Sequence, residues 1–413
     1  MVSRRDILTA SAGAAASAAL PGTTNDEHGA GRAATWVATW AAVPTTIPPT
    51  EPLVLANQTV RHVVHTSLGG DRLRIRLTNE FGDTPLRIGE AHVAIRGTST
   101  DRRVTFGGRE AVTVPAGAPV VSDPVELRIG GGTDLEISVY LPERTPVSTL
   151  AAFAFQDNVI ASGNVTADRE ITPTAVIQQY LFLSGVSVSA SGGAIVALGD
   201  SITNGANTVA NANHRWPDLL AERLRYRNGV ANLGVSGNRL LHDPNPPDGN
   251  PAVAYANYFG HSALRRFDRD VLAQPGAAFL IVLLGVNDLG HPGTSAPLDE
   301  VVTADDLIWG HRQLVTRAHV AGLRAYGGTI LPFKGDTLNF WSEENERKRG
   351  ALNDWIRRSG EYDGVIDFDR AVRDPADPLR LAAAYDSGDH LHPNDTGMAA
   401  MAVAIPLELF KRR

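Results

Sequence analysis

The apolar residues change rhythm near Gly193, and that change constrains the fold more than any other feature of the 413-residue chain. Upstream, Leu73, Ile75 and Leu77 alternate with Arg72, Arg74 and Arg76. Leu135, Ile137, Val139 and Leu141 repeat the period of two and stop at Pro142, the pattern of half-buried strands. Downstream, short apolar runs alternate with helical patterns. Ala194–Leu198, Val230–Leu233, Ala278–Leu284, Arg324–Leu331 and Val365–Phe368 read as strands. Between them lie a helix with Pro217 in its first turn and one capped by Thr303, with Asp306 three residues on. A third is capped by Ser342, and a last one runs from Asn394 to Leu409. Such alternation predicts a parallel sheet with helices on both faces.

From Trp36 to about Tyr180 the chain reads as β throughout. Gly69-Gly70 is placed as a hairpin turn, and Gly107-Gly108 and Gly130-Gly131-Gly132 separate further short runs. An antiparallel sandwich, jelly-roll-like, is expected here. Residues 185–193, small and uncharged, read as a linker. The expected organisation is therefore a leader over 1–34, a sandwich over 35–184, a linker over 185–193 and an α/β domain over 194–413. In the leader, Arg4-Arg5 precede an Ala-rich stretch and Pro21-Gly22, as in a twin-arginine export signal, so secretion is expected. With 43% apolar residues the chain can bury a core, and with no cysteine it has no disulfides and no thiol nucleophile. A net charge of −7 gives no drive toward nucleic acid, and no apolar run is long enough to span a bilayer.

In a parallel sheet, ligands bind beyond the carboxyl ends of the strands. Gly199-Asp200-Ser201, Gly234 to Asn238 and Gly285-Val286-Asn287-Asp288 follow the first three strands and share that edge. A serine hydroxyl needs a base, and the base needs an orienting carboxylate. Asp389-His390-Leu391-His392-Pro393 can supply both, His392 being the better base because of its offset from Asp389. His390 and His392 lack an HExxH pattern or an acidic cluster, so a metal is not expected, and ester hydrolysis by a serine with a histidine base needs no organic cofactor. The backbone N–H of Ser201, that of Gly237 and the Asn287 amide are candidate oxyanion donors. Asp200 and Asp288 are expected to hold loops.

These blocks, in this order, resemble those of the SGNH or GDSL hydrolases: Gly199-Asp200-Ser201-Ile202, Asn232 to Gly237, Gly285 to Asp288, and Asp389 to His392. The resemblance covers Ala194 to Arg413 and departs only by Ile202 in place of the usual Leu. The G-x-S-x-G elbow is absent. The resemblance implies a flavodoxin-like parallel sheet, Ser201 as nucleophile, His392 as base, Asp389 as its partner, and an oxyanion hole of Ser201, Gly237 and Asn287. Trp36-Val37-Ala38-Thr39-Trp40 is similar to a segment of secreted bacterial members with an N-terminal β region, related to arylesterases and carbohydrate deacetylases. Short acyl groups on carbohydrate are the first substrate expectation, a small molecule or a polysaccharide. Asn204, Asn238, His291 and Trp341 are candidate contacts to the alcohol, and the loop at Gln156-Asp157-Asn158 could reach the site. The alternatives are a lipase or arylesterase on lipid or aryl esters, an acyltransferase, and a glycan-binding protein with an inactive hydrolase fold.

Overall fold

The computed structural model describes residues 35–49 and 53–411. The expected leader, residues 1–34, lies outside them. Five parallel strands run in the spatial order Gly229–Gly234, Ala194–Gly199, Ala277–Leu283, Arg324–Gly328 and Gly364–Ile366. In chain order this is 2-1-3-4-5, the flavodoxin-like arrangement. Ala194–Gly199 is buried along its whole length because strands flank it and helices cover both faces.

Local sequence explains the helices. Pro217 lies in the first turn of Trp216–Arg223. Thr303 and Asp306 form a reciprocal capping box on Ala304–Val320, and Ser342 caps Glu343–Arg358. The expected last helix ends early, at Ala404, because Pro406 removes a backbone donor; a single 3₁₀ turn follows at Leu407–Phe410.

Two antiparallel sheets make the sandwich. One holds Trp36–Ala41, Leu183–Ser189, Gly70–Thr78, Pro119–Val121 and Val125–Ile129. The other holds Ala175–Ile177, Asn158–Ser162, Gln58–His65, Asp134–Leu141, Glu90–Ile95 and Asp101–Val104. Leu73, Ile75 and Leu77 face inward, opposite the row Leu135, Ile137, Val139 and Leu141, and all seven are buried.

Two expectations fail here for physical reasons. Gly69-Gly70 is no hairpin turn: Gln58–His65 pairs with Asp134–Leu141, whereas Gly70–Thr78 lies in the other sheet. The glycines serve a crossover in which a Cβ on Gly69 would stand 2.6 Å from the Ile129 carbonyl oxygen. Nor are residues 185–193 a linker. Leu183–Ser189 is a strand between Trp36–Ala41 and Gly70–Thr78, with Val186 and Val188 buried. Serine and glycine there lie on the covered face turned away from the sandwich core, with Ser184 and Ser187 buried, and are not slack chain.

The sandwich and the parallel sheet share one core, and the chain from Thr35 onward is one compact unit. Ser67 Oγ donates to the Thr39 carbonyl (2.6 Å) and accepts from Val230 N–H (2.7 Å), tying the sandwich to the edge strand of the parallel sheet. A Cβ on Gly229 would collide with the Ala38 carbonyl oxygen.

At the carboxyl edge one buried arginine joins the first two strands. Arg266 Nη2 donates to the carbonyls of Gly199 (3.1 Å) and Leu233 (3.1 Å), and Nε donates to Asn238 Oδ1 (3.0 Å). Replacing Arg266 with Met should destabilise the protein by roughly 3–5 kcal/mol, because Asn238 Oδ1 and the Leu233 and Gly199 carbonyls each lose a buried donor and the buried Asp270 loses a cationic partner. Urea unfolding measures this, and a loss under about 1 kcal/mol would contradict the joining role.

Candidate active site

Strand Ala194–Gly199 delivers the chain to Ser201 through a tight junction. The Asp200 carboxylate accepts from Ile202 N–H (3.0 Å) and caps the one-turn helix Ser201–Asn204, which Gly205 closes at φ 102°. Ser201 is thereby the first helical residue. Among the described residues its N–H has no hydrogen-bond acceptor, as befits a helix start. After the second strand, Asn238 N–H bonds the Val235 carbonyl (3.0 Å) with Gly237 at φ 77°, as a type II turn requires. A side chain on Gly237 would strike the Phe259 ring, so only glycine fits. After the third strand, Asn287 lies in the short helix Val286–Gly290, and its amide donates to the Asn238 carbonyl (3.0 Å). That bond fixes the amide and leaves its second N–H.

The C-terminal loop meets these three. Ser201 Oγ lies 2.8 Å from His392 Nε2, and His392 Nδ1 lies 2.6 Å from Asp389 Oδ2. A carboxylate only accepts, so Nδ1 carries the proton and Nε2 is the acceptor facing the hydroxyl. Asp389 is held on both oxygens. Oδ1 accepts from Leu391 N–H (3.0 Å), His392 N–H (2.8 Å) and Ser387 Oγ (3.1 Å), and Oδ2 accepts also from Asn207 Nδ2 (2.8 Å). Burial pushes this carboxyl up, but the His392 hydrogen bond and charge, with the backbone donors, hold it well below the usual carboxylate range. His390 turns away. At φ 61° it directs Nδ1 to Asp386, a loop-holding bond that separates it from the serine's partner.

Ser201, Gly237, Asn287 and His392 all border one cavity of about 400 Å³. Of the candidate alcohol contacts, only His291 does so. It is buried between Phe259 and Phe340, and burial, with Arg239 nearby, lowers its pKa to about 3, so the ring is neutral. Asn204 is engaged with the Phe153 carbonyl (3.1 Å) and Ser236 Oγ (3.1 Å). Asn238 is fully buried and bonds the carbonyls of Phe259 and His261. Trp341 stands outside the cavity, with its backbone N–H on Asp336. Gln156 and Asn158 also serve the fold, bonding Asn211 and the backbone of Val63.

Sequence reasoning missed the wall. Phe153 and Phe155, from the sandwich loop just before Gln156, face Tyr255, Phe259, Leu338 and Phe340 across the cavity. Both have positive φ, 55° and 48°, a rare conformation for bulky residues and a sign of strain held in place by the site. Two phenylalanines around an alanine was the available signal.

Asp200 and Asp288 lie just beneath the catalytic edge. Asp288 accepts from the N–H groups of Leu240 (2.7 Å) and Leu241 (3.0 Å), yet burial still pushes it up. For Asp200, burial is the largest influence and raises the carboxyl to about 7; Asp288 adds to the rise, while the Ile202 N–H and His392 oppose it. A raised carboxyl retains its proton in the folded chain when the unfolded chain has lost it. Its contribution therefore declines as pH rises from about 4 to about 7, then stays level. Asp200→Asn keeps the capping acceptor and removes this titration. Its stability relative to wild type should grow across that interval, by up to about 4 kcal/mol. Unfolding midpoints at a series of pH values test this, and a difference independent of pH would refute it.

Residues 197–400 match the GDSL-like lipase/acylhydrolase family. Solved structures similar to this chain include an aryl esterase of M. smegmatis: 17% identity, 52% of this chain, 96% of that one, TM-score 0.38. A GDSL-like lipase of Bacteroides thetaiotaomicron is 17% identical over 51% of this chain and 84% of its own, with TM-score 0.36. An alpha/beta hydrolase enzyme from the metagenome of Lake Arreo, Spain, is 19% identical over 52% and 94%, with TM-score 0.38. No curated protein matches the chain. Among the described residues no helix is long and apolar enough to cross a membrane, and no group of three or more His, Asp or Glu is placed to hold a metal ion. Residues 197–400 are thus a domain of the GDSL-like lipase/acylhydrolase family, and the chain is a carboxylic ester hydrolase.

Proposed function

We propose that Ser201 is the nucleophile of a two-step ester hydrolysis, with His392 as its base and Asp389 as the residue that orients the imidazole and stabilises the positive charge it gains on taking the proton. The observation that carries this reading is the 2.8 Å contact between Ser201 Oγ and His392 Nε2, at the edge of a cavity that Gly237 and Asn287 also line. As Oγ bonds to the acyl carbon, its proton passes to Nε2. The oxyanion is met by the Ser201 and Gly237 N–H groups and the Asn287 amide. His392 then gives its proton to the departing alkoxide, leaving an acyl-enzyme. Water attacks this ester with His392 again as base, and the acid leaves as serine regains its proton.

The cavity wall argues for an ester with a compact apolar or aromatic group rather than for an acetylated sugar. Seven of its residues are Phe153, Phe155, Tyr255, Phe259, Leu338, Phe340 and Leu391. Most polar residues on the wall are already engaged: Asn207 with Asp389, Ser236 with Asn204, and Thr294 with the Gly290 carbonyl. A sugar would leave many hydroxyls without partners, whereas an aryl or short alkyl group matches what the wall offers. Export through the twin-arginine leader completes the reading, with the enzyme meeting such esters outside the cell.

Ser201→Ala should abolish hydrolysis of p-nitrophenyl acetate, and Asp389→Asn should lower kcat by about 10²–10⁴-fold. Asn287→Ala should cost about 10²–10³-fold in kcat with little change in KM. Retained turnover in Ser201→Ala would end the reading. Phe155→Ala should shift preference toward longer acyl or bulkier aryl groups by about tenfold in kcat/KM, one apolar contact being worth roughly 1–3 kcal/mol. A panel of p-nitrophenyl esters and acetylated xylan checks this. Faster turnover of the sugar acetate than of every aryl ester would overturn the substrate choice alone.

A further inference from the structure

The arginines that alternate along Gly70–Thr78 play no part in the hydrolysis. Arg74 and Arg76 border a groove of about 260 Å³ far from Ser201. Its other side is Ala273-Gln274-Pro275, which precedes strand Ala277–Leu283 and so lies at the opposite end of the parallel sheet from the catalytic loops. Among the described residues neither guanidinium has a hydrogen bond or a carboxylate within 4 Å. The Arg74 Nε is fully buried without any partner.

Nearby acidic groups are already engaged. Asp123 accepts from Thr105 and from the Gly107 and Gly108 N–H groups. Asp270 is paired with Arg269 and Arg266, and Glu80 with Arg269. Burial lowers the Arg76 pKa, and Asp270 and Glu80 only partly oppose it. Desolvated cations without counter-ions are costly unless an anion reaches them.

The register shows why there is room. On the neighbouring strand Gly185 lies opposite Arg76 and Ser187 opposite Arg74. Gly185 leaves open the space a side chain would occupy. Ser187 is only 8% exposed, lines the groove, and its hydroxyl has no partner among the described residues. Pro119, Val121, Ala273 and Pro275 make the remaining walls apolar. Arg74 is braced from behind by the Trp36 ring, 4.5 Å from its guanidinium carbon.

We propose that this groove binds a small organic carboxylate, with its oxygens between Arg74, Arg76 and the Ser187 hydroxyl and its apolar body against Pro119, Val121 and Pro275. A bare inorganic anion would satisfy the arginines but leave the apolar walls wet. A neutral apolar molecule would leave two cations unpaired. An acid with a compact apolar body answers both, and it is also the class of product an ester hydrolase releases.

Titration of 4-fluorobenzoate into the full chain, followed by ¹⁹F NMR, tests this, with inorganic phosphate and 4-fluorobenzamide as comparators. Saturable binding of the benzoate is expected, weakened at least tenfold in Arg74→Gln/Arg76→Gln. Gly185→Val, which fills the groove and keeps both charges, should weaken it similarly. Unchanged thermal melts of both variants would show that the fold is intact. Equal affinity in all three proteins would place the benzoate in the catalytic cavity and overturn the proposal. So would phosphate binding as tightly as benzoate, benzamide binding as tightly as benzoate, or no saturable binding at all.

Discussion

The carboxyl edge of the parallel sheet depends on a single buried guanidinium. Gly199 and Leu233 end neighbouring strands, and the loops that follow carry Ser201 and Gly237. Their carbonyls sit in a dry interior; that of Gly199 already accepts from Val235 N–H (3.1 Å), and both take further donors. Arg266 provides them, and its Nε steadies Asn238, whose own carbonyl fixes the Asn287 amide. Three loops are thus joined through one planar fork, which lysine, with a single nitrogen, could not reproduce. Burial lowers the Arg266 pKa to about 10, with Asp270 opposing, so the charge persists throughout the working range.

The hydroxyl and imidazole, 191 positions apart in the chain, therefore meet on a prepared surface. The arrangement is polarised: Asp389 is held anionic by donors on both oxygens, while the buried Asp200 tends to keep its proton. The Asp389 carboxylate places its charge beside the His392 ring, and Asp200 adds little competing negative charge beneath the serine while its proton remains. Two carboxyls within one small region have been pushed in opposite directions by burial and hydrogen bonding.

How much of this was legible in the sequence varied with the range of the interaction. Strand and helix identity was readable from Ala194 onward because parallel strands buried on both faces are continuous apolar runs, and because Thr303, Ser342 and Pro217 mark helix starts. The convergence of Ser201, Gly237, Asn287 and His392 followed from the rule that one edge collects the loops. Strand partnership within the sandwich was not readable. Gly69-Gly70 looks the same in a hairpin and in a crossover, since both need a residue without Cβ. Gly185 and Ser187 read as a linker because they are small and uncharged, whereas their lack of bulk makes room for the covered groove beside Arg74 and Arg76. The candidate contacts failed similarly: Asn204, Asn238 and Trp341 are near the site in sequence, but backbone groups claim Asn204 and Asn238, and Trp341 stands outside the cavity.

The wall shows what the sandwich contributes. A parallel sheet places its catalytic loops at one open edge, which by itself offers little apolar surface around an acyl carbon. The sandwich is welded to that sheet through Ser67 and the Ala38–Gly229 contact, so its loop can be positioned as rigidly as the catalytic loops themselves. Phe153 and Phe155 occupy left-handed backbone conformations that cost of order 1–3 kcal/mol each, and such a cost persists only where surrounding structure over-determines it. Here the Phe153 carbonyl accepts from Asn204, and its ring packs edge-on against Tyr258 at 5.7 Å, while the Phe155 carbonyl accepts from Asn211 N–H (2.9 Å). Asn204 belongs to the helix that Ser201 begins. A residue of the turn that Ser201 begins thus helps hold the wall on the far side of the cavity, which ties the shape of the cavity to the placement of the Ser201 hydroxyl.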